Sequence, residues 1–249
     1  SLAATLANVD DRLRPKRGKV RDILACAGDL LICTTDRVSA FDRVLTTIPW
    51  KGEVLTGLSL YHFGRTADIV RNHLVRAVTA RTIRVRYCRV LPVEIVVRGY
   101  LTGSAWRDYQ RIGEVSGIRL PRGMRFNERF PEPLLTPATK AERGAHDEPI
   151  SAAEVVERGL VPATLWPEVI RTAHALYERG TQIAAGRGLI LVDTKYEFGR
   201  APDGRLLVID EVHTPDSSRY YYADGYEDRL AAGEPQRQLS KEFVREWLM

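Results

Sequence analysis

The sequence predicts an α+β protein, and three observations carry that expectation. The first 90 residues hold short, β-branched apolar runs broken by turns, the middle holds capped helical patterns, and Leu189–Glu211 reads as a hairpin. Length and composition agree: 249 residues, 44% hydrophobic and 28% charged, suffice for one large domain or two lobes with a sizeable core. We divide the chain into a strand-rich lobe, residues 1–90, and a larger α+β lobe, residues 91–249.

The elements follow in order. "GKVRDILACAGDLLICTTD" holds two apolar runs around "AGD", a hairpin pattern. "GEVLTGLSLYHFGRTADIV" has apolar positions at Val54, Leu58, Tyr61 and Phe63 and reads as an amphipathic helix. "RAVTARTIRVRYCRVLPVEIVVRGYL" predicts two or more strands, and "GSAWRDYQRIGEV" a helix. The five-proline stretch "PRGMRFNERFPEPLLTPATKAERGAHDEP" reads as a long ordered loop. Ser151 and Glu154 stand at capping-box spacing. "WPEVIRTAHALYERGTQIAAGRG" predicts a helix opening at Pro167 and ending near Gly186 or Gly188, and "SKEFVREWLM" a last helix.

Composition narrows the function. No run approaches the roughly 18 apolar residues of a membrane span. "SLAATLANVD" lacks a basic region followed by an apolar one, so the expectation is a cytoplasmic protein. Cys26, Cys33 and Cys88 are scattered and read as free thiols. The net charge of +5 suits either nucleic acid or anionic small substrates. Basic residues are spread along the chain without a nucleic-acid-binding motif, which favours small anions. Only six of the 37 basic residues are lysine, at 16, 19, 51, 140, 195 and 241. A lysine in so arginine-rich a chain marks a place where a compact ammonium is wanted.

The hairpin carries the clearest chemistry. Alternation puts Asp193, Lys195 and Glu197 on one face and Thr194, Tyr196 and Phe198 on the other. The return strand brings Asp210 back within a residue of register. Such an acidic patch suits Mg²⁺, a hard cation with oxygen ligands that keeps waters for phosphates; the alternative is a solvated edge face with ion pairs. In "VVRGYLTGSAW", Arg98 ends a strand and Ser104 opens a helix, an anion-binding combination or simply an N-cap with a surface arginine. "KRGKVRD" offers cations around a glycine, either a phosphate cradle or a basic turn. "TPDSSRYY" adds Asp216, Ser217 and Arg219, and "TKAERGAHD" adds Lys140, His146 and Asp147. No P-loop, Ser-His-Asp or zinc spacing occurs.

Taken together, "GKVRD", "TDRVSAFDRVL", "IPWKGEVLTGLS", "VVRGYLTGSAW", "TPATKAERGAHDEPIS", "LVDTKYEFG" and "IDEVHTPDSSRYY" resemble, in order, the phosphoribosylaminoimidazole-succinocarboxamide synthase (SAICAR synthetase) family, in its longer yeast-type branch. The resemblance spans roughly residues 17–222. It implies a two-lobed fold: a strand-rich N-terminal lobe like a kinase N-lobe, packed on a larger α+β lobe with ATP in the cleft. It implies an ATP- and Mg²⁺-dependent ligase joining L-aspartate to an aminoimidazole carboxylate ribonucleotide. By the same resemblance Gly18, Lys19, Arg21 and Lys195 meet ATP phosphates, and Glu197 and Asp210 hold Mg²⁺. Arg98, Ser104 and Arg219 meet the 5′-phosphate, with Asp216 and Ser217 beside them. Ser39 and Asp42 lie near the nucleotide substrate. Lys140, His146 and Asp147 surround the aspartate or the imidazole carboxylate, with Asp193 or His146 as candidate base and Lys195, Asp193 and Lys140 as the catalytic set. Oligomeric state is not expressed in these motifs.

Overall fold

The computed structural model describes residues 15–26, 28–40, 43–140 and 148–240. Expectations for Asp42, His146, Asp147 and the last helix therefore lie outside the described residues. Strands β1 (Lys16–Arg17), β2 (Arg21–Cys26), β3 (Asp29–Thr34), β6 (Leu74–Thr79) and β7 (Thr82–Arg86) form an antiparallel sheet in the order β1-β2-β3-β7-β6. β4 (Arg37–Ala40) and β5 (Arg43–Thr47) make a separate ribbon, and helix α1 (Lys51–Arg65) follows. Gly52 lets the start of α1 touch β3: a Cβ there would lie 2.3 Å from the Thr34 carbonyl oxygen.

The second sheet contains β8 (Arg89–Tyr100), β11 (Arg129–Thr139), β12 (Leu189–Arg200), β13 (Leu206–Ile209), β14 (Ser218–Tyr222) and β15 (Gln238–Leu239). Its order is β11-β8-β12-β14-β15, with β13 on the far half of β12. Helix α2 (Gly103–Ile112) and the short ribbon of β9 (Glu114–Val115) and β10 (Ile118–Arg119) connect β8 to β11. Helices α3 (Ala152–Glu157), α4 (Trp166–Ala185) and α5 (Tyr226–Ala232) complete the described elements. The capping box at Ser151 and Glu154 is formed, and Pro167 stands in the first turn of α4.

One face of this sheet makes the core. Leu91, Val93, Ile95 and Val97 of β8 and Leu191, Tyr196 and Phe198 of β12 pack with Val169, Ala173 and Leu176 of α4. Burying each of these valine, leucine, isoleucine and phenylalanine side chains is worth about 1.5–3 kcal/mol. Tyr177 of α4 donates to the Leu191 carbonyl at 2.7 Å, and the missing side chain of Gly99 makes room for it. Tyr196, fully buried, meets Nε2 of His213 at 2.6 Å.

One expectation changes, and one alternative falls away. The long loop over residues 121–149 instead contains β11, an eleven-residue strand with Pro131, Pro133 and Pro137 in it. The prolines are tolerated because β11 is an edge strand, broken in register between Arg129 and Leu134, so missing N–H groups need not break a ladder on both sides. The charged run of β12 is no solvated edge either: β8 flanks it on one side and β14 and β13 share the other. No helix among the described residues is long and apolar enough to cross a membrane.

Candidate active site

The face of the second sheet opposite the core collects charge by register alone. Pairing sets Arg98 against Asp193, Val96 against Lys195 and Glu94 against Glu197. On the next strand Arg219 stands opposite Asp193. One row across the sheet thus reads Arg98, Asp193, Arg219, and four residues further on lie Glu94 and Glu197. Cross-strand neighbours on one face touch, so these rows become ion pairs.

The first row lines a cavity of about 220 Å³ together with Ser104, Arg107, Lys195, Asp216 and Ser217. Arg98 is largely enclosed, at 16% side-chain exposure. Its Nε donates to Thr136 Oγ1 at 3.0 Å, one terminal nitrogen to Ser104 Oγ at 3.2 Å and the other to Asp193 at 3.4 Å. Burial pulls its pKa down, Asp193 opposes that, and Arg219 adds to it. Arg219 donates to Thr102 Oγ1 at 3.1 Å and sits 4.0 Å from Asp193. Thr102 is the extended N-cap of α2, and Gly103 follows with φ 56; a Cβ there would lie 2.9 Å from the Arg219 guanidinium. Arginines converging on the start of a ten-residue helix bind dianions through charge-assisted, forked hydrogen bonds.

The second row joins the two sheets. Lys195 Nζ donates to Glu197 at 2.6 Å and Glu94 at 3.1 Å and lies 3.8 Å from Asp210. Lys140 donates to the other oxygen of Glu197. Arg21, from β2, pairs with Asp210 and, at 2.9 Å, with Glu211. Burial opposes the charged forms of Lys195, Glu197 and Asp210, yet the neighbours prevail. Glu197, Asp210 and Glu94 hold the Lys195 ammonium above its ordinary pKa. Arg21 and Lys195 hold Asp210 well below the usual carboxylate range. Glu197, despite burial and Asp210, is held down by Lys195 and Lys140. Asp210 also adopts φ 67, a conformation that costs a non-glycine residue about 1 kcal/mol or more.

Glu197 and Asp210 are ionised oxygen donors close enough to perturb each other, which fits Mg²⁺ bound by one or two carboxylates and completed by phosphates. Among the described residues no three His, Cys, Asp or Glu side chains gather as a closed metal cage.

"KRGKVRD" behaves differently from a free cradle. The Gly18 amide donates to the Arg21 carbonyl at 2.7 Å, and the Gly18 and Lys19 carbonyls accept from Arg37. Arg21 is engaged by Asp210 and Glu211. Ser39 is half-buried on β4 opposite Val44 and does not line the cavity. Sequence reasoning missed Glu94 and Arg107. Alternation along β8 from Arg98 would have placed Glu94, and helical spacing from Ser104 would have placed Arg107.

The geometry has counterparts among known proteins. The profile of the SAICAR synthetase family matches residues 14–249. A phosphoribosylaminoimidazole-succinocarboxamide synthase of Bacteroides thetaiotaomicron is 52% identical over 235 residues, covering 93% of this chain and 74% of its own length. One from Flavobacterium psychrophilum is 45% identical over 253 residues, covering 100% of this chain and 80% of its own. A solved structure described as SAICAR synthase from Saccharomyces cerevisiae complexed with SAICAR superposes with a TM-score of 0.83 at 37% identity, covering 97% of this chain and 85% of that one. A match along nearly the whole sequence and fold settles membership: the chain belongs to the SAICAR synthetase family.

Proposed function

We propose that this protein joins L-aspartate to the carboxylate of 5-amino-1-(5-phosphoribosyl)imidazole-4-carboxylate, converting ATP to ADP and phosphate and giving the succinocarboxamide of de novo purine biosynthesis. The supporting observation is the adjacency of two unlike charge clusters on one sheet face: an arginine-lined cavity beside a lysine–carboxylate cluster. A phosphorylated carboxylate substrate needs the first, and phosphoryl transfer to its carboxylate needs the second.

Amide formation from a carboxylate is uphill in water, so the carboxylate must be activated. In our reading a carboxylate oxygen attacks the γ-phosphorus of ATP, ADP leaves, and the amine of aspartate then displaces phosphate from the acyl carbon. Arg98, Ser104 and Arg219 hold the 5′-phosphate, aided by Arg107, and Asp216 and Ser217 border the rest of the ribonucleotide. Asp193 orients both guanidinium groups, because they already engage its two oxygens. Lys195 and Lys140 offset charge on the phosphoryl group and on the imidazole carboxylate. Glu197 and Asp210 would hold Mg²⁺, which neutralises phosphate charge when bound. Gly18, Lys19 and Arg21 border the ATP phosphates from the first sheet, with residues 1–90 as the ATP lobe and 91–249 as the substrate and metal lobe. Ser39 and Asp42 belong near the nucleotide substrate, and His146 and Asp147 around the aspartate or the imidazole carboxylate. The reaction belongs in the cytoplasm.

The test is ADP release with Mg·ATP, the carboxylate ribonucleotide and L-aspartate, omitting each in turn. ADP that appears only with all three supports the ligase. ADP formed at full rate without aspartate would replace it with a kinase-like reaction on the same scaffold.

A further inference from the structure

Lys51 is the first residue of α1, where the helix dipole disfavours a cation. The turn before it is costly as well: Trp50 has φ 70 and is 66% exposed. That turn is nevertheless fixed. The Lys51 amide donates to the Ile48 carbonyl at 3.2 Å, the Gly52 amide to Asp36 at 2.9 Å, and Gly52 is pressed against Thr34. What the arrangement delivers is the ammonium of Lys51, which meets Asp216 at 2.7 Å with only 12% and 9% of the two side chains exposed.

Asp216 lines the cavity between Pro215 and Ser217, 165 residues away in sequence. Its segment is anchored twice from the first sheet and its helix: by Arg21 at Asp210 and Glu211, and by Lys51 at Asp216. The segment in turn fixes the active-site strand, since the Ser217 carbonyl accepts from the Lys195 amide at 2.9 Å. A carboxylate with one oxygen held by a buried ammonium keeps the other in a defined direction, where it accepts from a hydroxyl or ammonium donor.

We infer that Lys51 is a positioning residue of the ligase: acting through Asp216, it sets the wall of the ribonucleotide cavity without touching the phosphoryl-transfer cluster. The inference rests on the reading of that cavity given above. Lys51→Met then raises the KM for the ribonucleotide roughly 10- to 100-fold, as misplacement by about 1 Å does, with the KM for ATP unchanged. Asp216→Asn does the same, and the double variant is no worse than the poorer single one. Multiplied losses in the double variant, or equal losses for ATP, would overturn the inference. Should Lys51→Met fail to fold, Lys51→Arg decides: a raised ribonucleotide KM at wild-type melting temperature and ATP KM supports it, and an unchanged ribonucleotide KM refutes it. A wild-type chain that turns over the ribonucleotide while Lys51→Met keeps its KM sinks the Lys51 inference alone; a wild-type chain inert toward it overturns both.

Discussion

Replacing Arg98 by methionine separates ribonucleotide binding from ATP binding. The guanidinium is already aimed by Thr136, Ser104 and Asp193, so it reaches a phosphate without reorganising. At about 4 Å and an effective dielectric near 20, a unit charge pair is worth roughly 4 kcal/mol before desolvation. Charge-assisted hydrogen bonds retain about 1.5–3 kcal/mol net of that. A loss of about 2–3 kcal/mol corresponds to roughly a 30- to 150-fold weaker Kd for the ribonucleotide. Arg98→Lys falls between, since it keeps charge but loses the fork. Arg219 still faces Asp193 in both variants, so the fold survives. Titration calorimetry with each ligand alone reads the effect. Equal weakening of ATP, or less than about a threefold change for the ribonucleotide, would refute a dedicated phosphate site.

Other substitutions probe the remaining parts. Glu197→Gln lowers kcat at least about 100-fold, the scale of losing transition-state electrostatics, while the melting temperature moves little because Lys195 keeps Glu94 and Asp210; near-normal turnover would discard the metal assignment. His213 is held neutral by burial, with His62 beside it, its pKa pushed down to about 3. The unfolded chain binds the extra proton, so stability falls as pH drops below about 6.5. His213→Gln, which keeps a partner for Tyr196, flattens the urea-midpoint profile between pH 6.5 and 4 by up to about 1.4 kcal/mol per pH unit, and an unchanged slope would contradict this. Gly99→Ala sets a Cβ 2.1 Å from the Tyr177 hydroxyl and costs about 1–3 kcal/mol by overpacking; an unmoved urea midpoint would show that α4 shifts freely.

Much of this was legible because local rules and tertiary demands coincide. The period of two along Asp193–Phe198 gives both the core face and the charged face, and β13 returns with Ile209 opposite Glu197, one residue from Asp210. Ser151, Glu154 and Pro167 announce helix starts that form as the spacing predicts. β11 was hidden because proline counts against a strand unless the strand is known to lie at an edge. The position of β12 between β8 and β14 was equally invisible, and it turns a surface-like charge run into an enclosed cluster. The pairs Arg21–Asp210 and Lys51–Asp216 join residues 189 and 165 positions apart, a distance at which no periodicity speaks.

The chemistry itself is tested most directly by following oxygen. The ribonucleotide, labelled with ¹⁸O in its carboxylate, is turned over with Mg·ATP and L-aspartate, and the phosphate released is analysed by mass. Activation through an acyl phosphate moves one labelled oxygen into phosphate for each amide formed. Unlabelled phosphate alongside full amide yield would mean that ATP does not activate that carboxylate, and the account would be wrong at its centre.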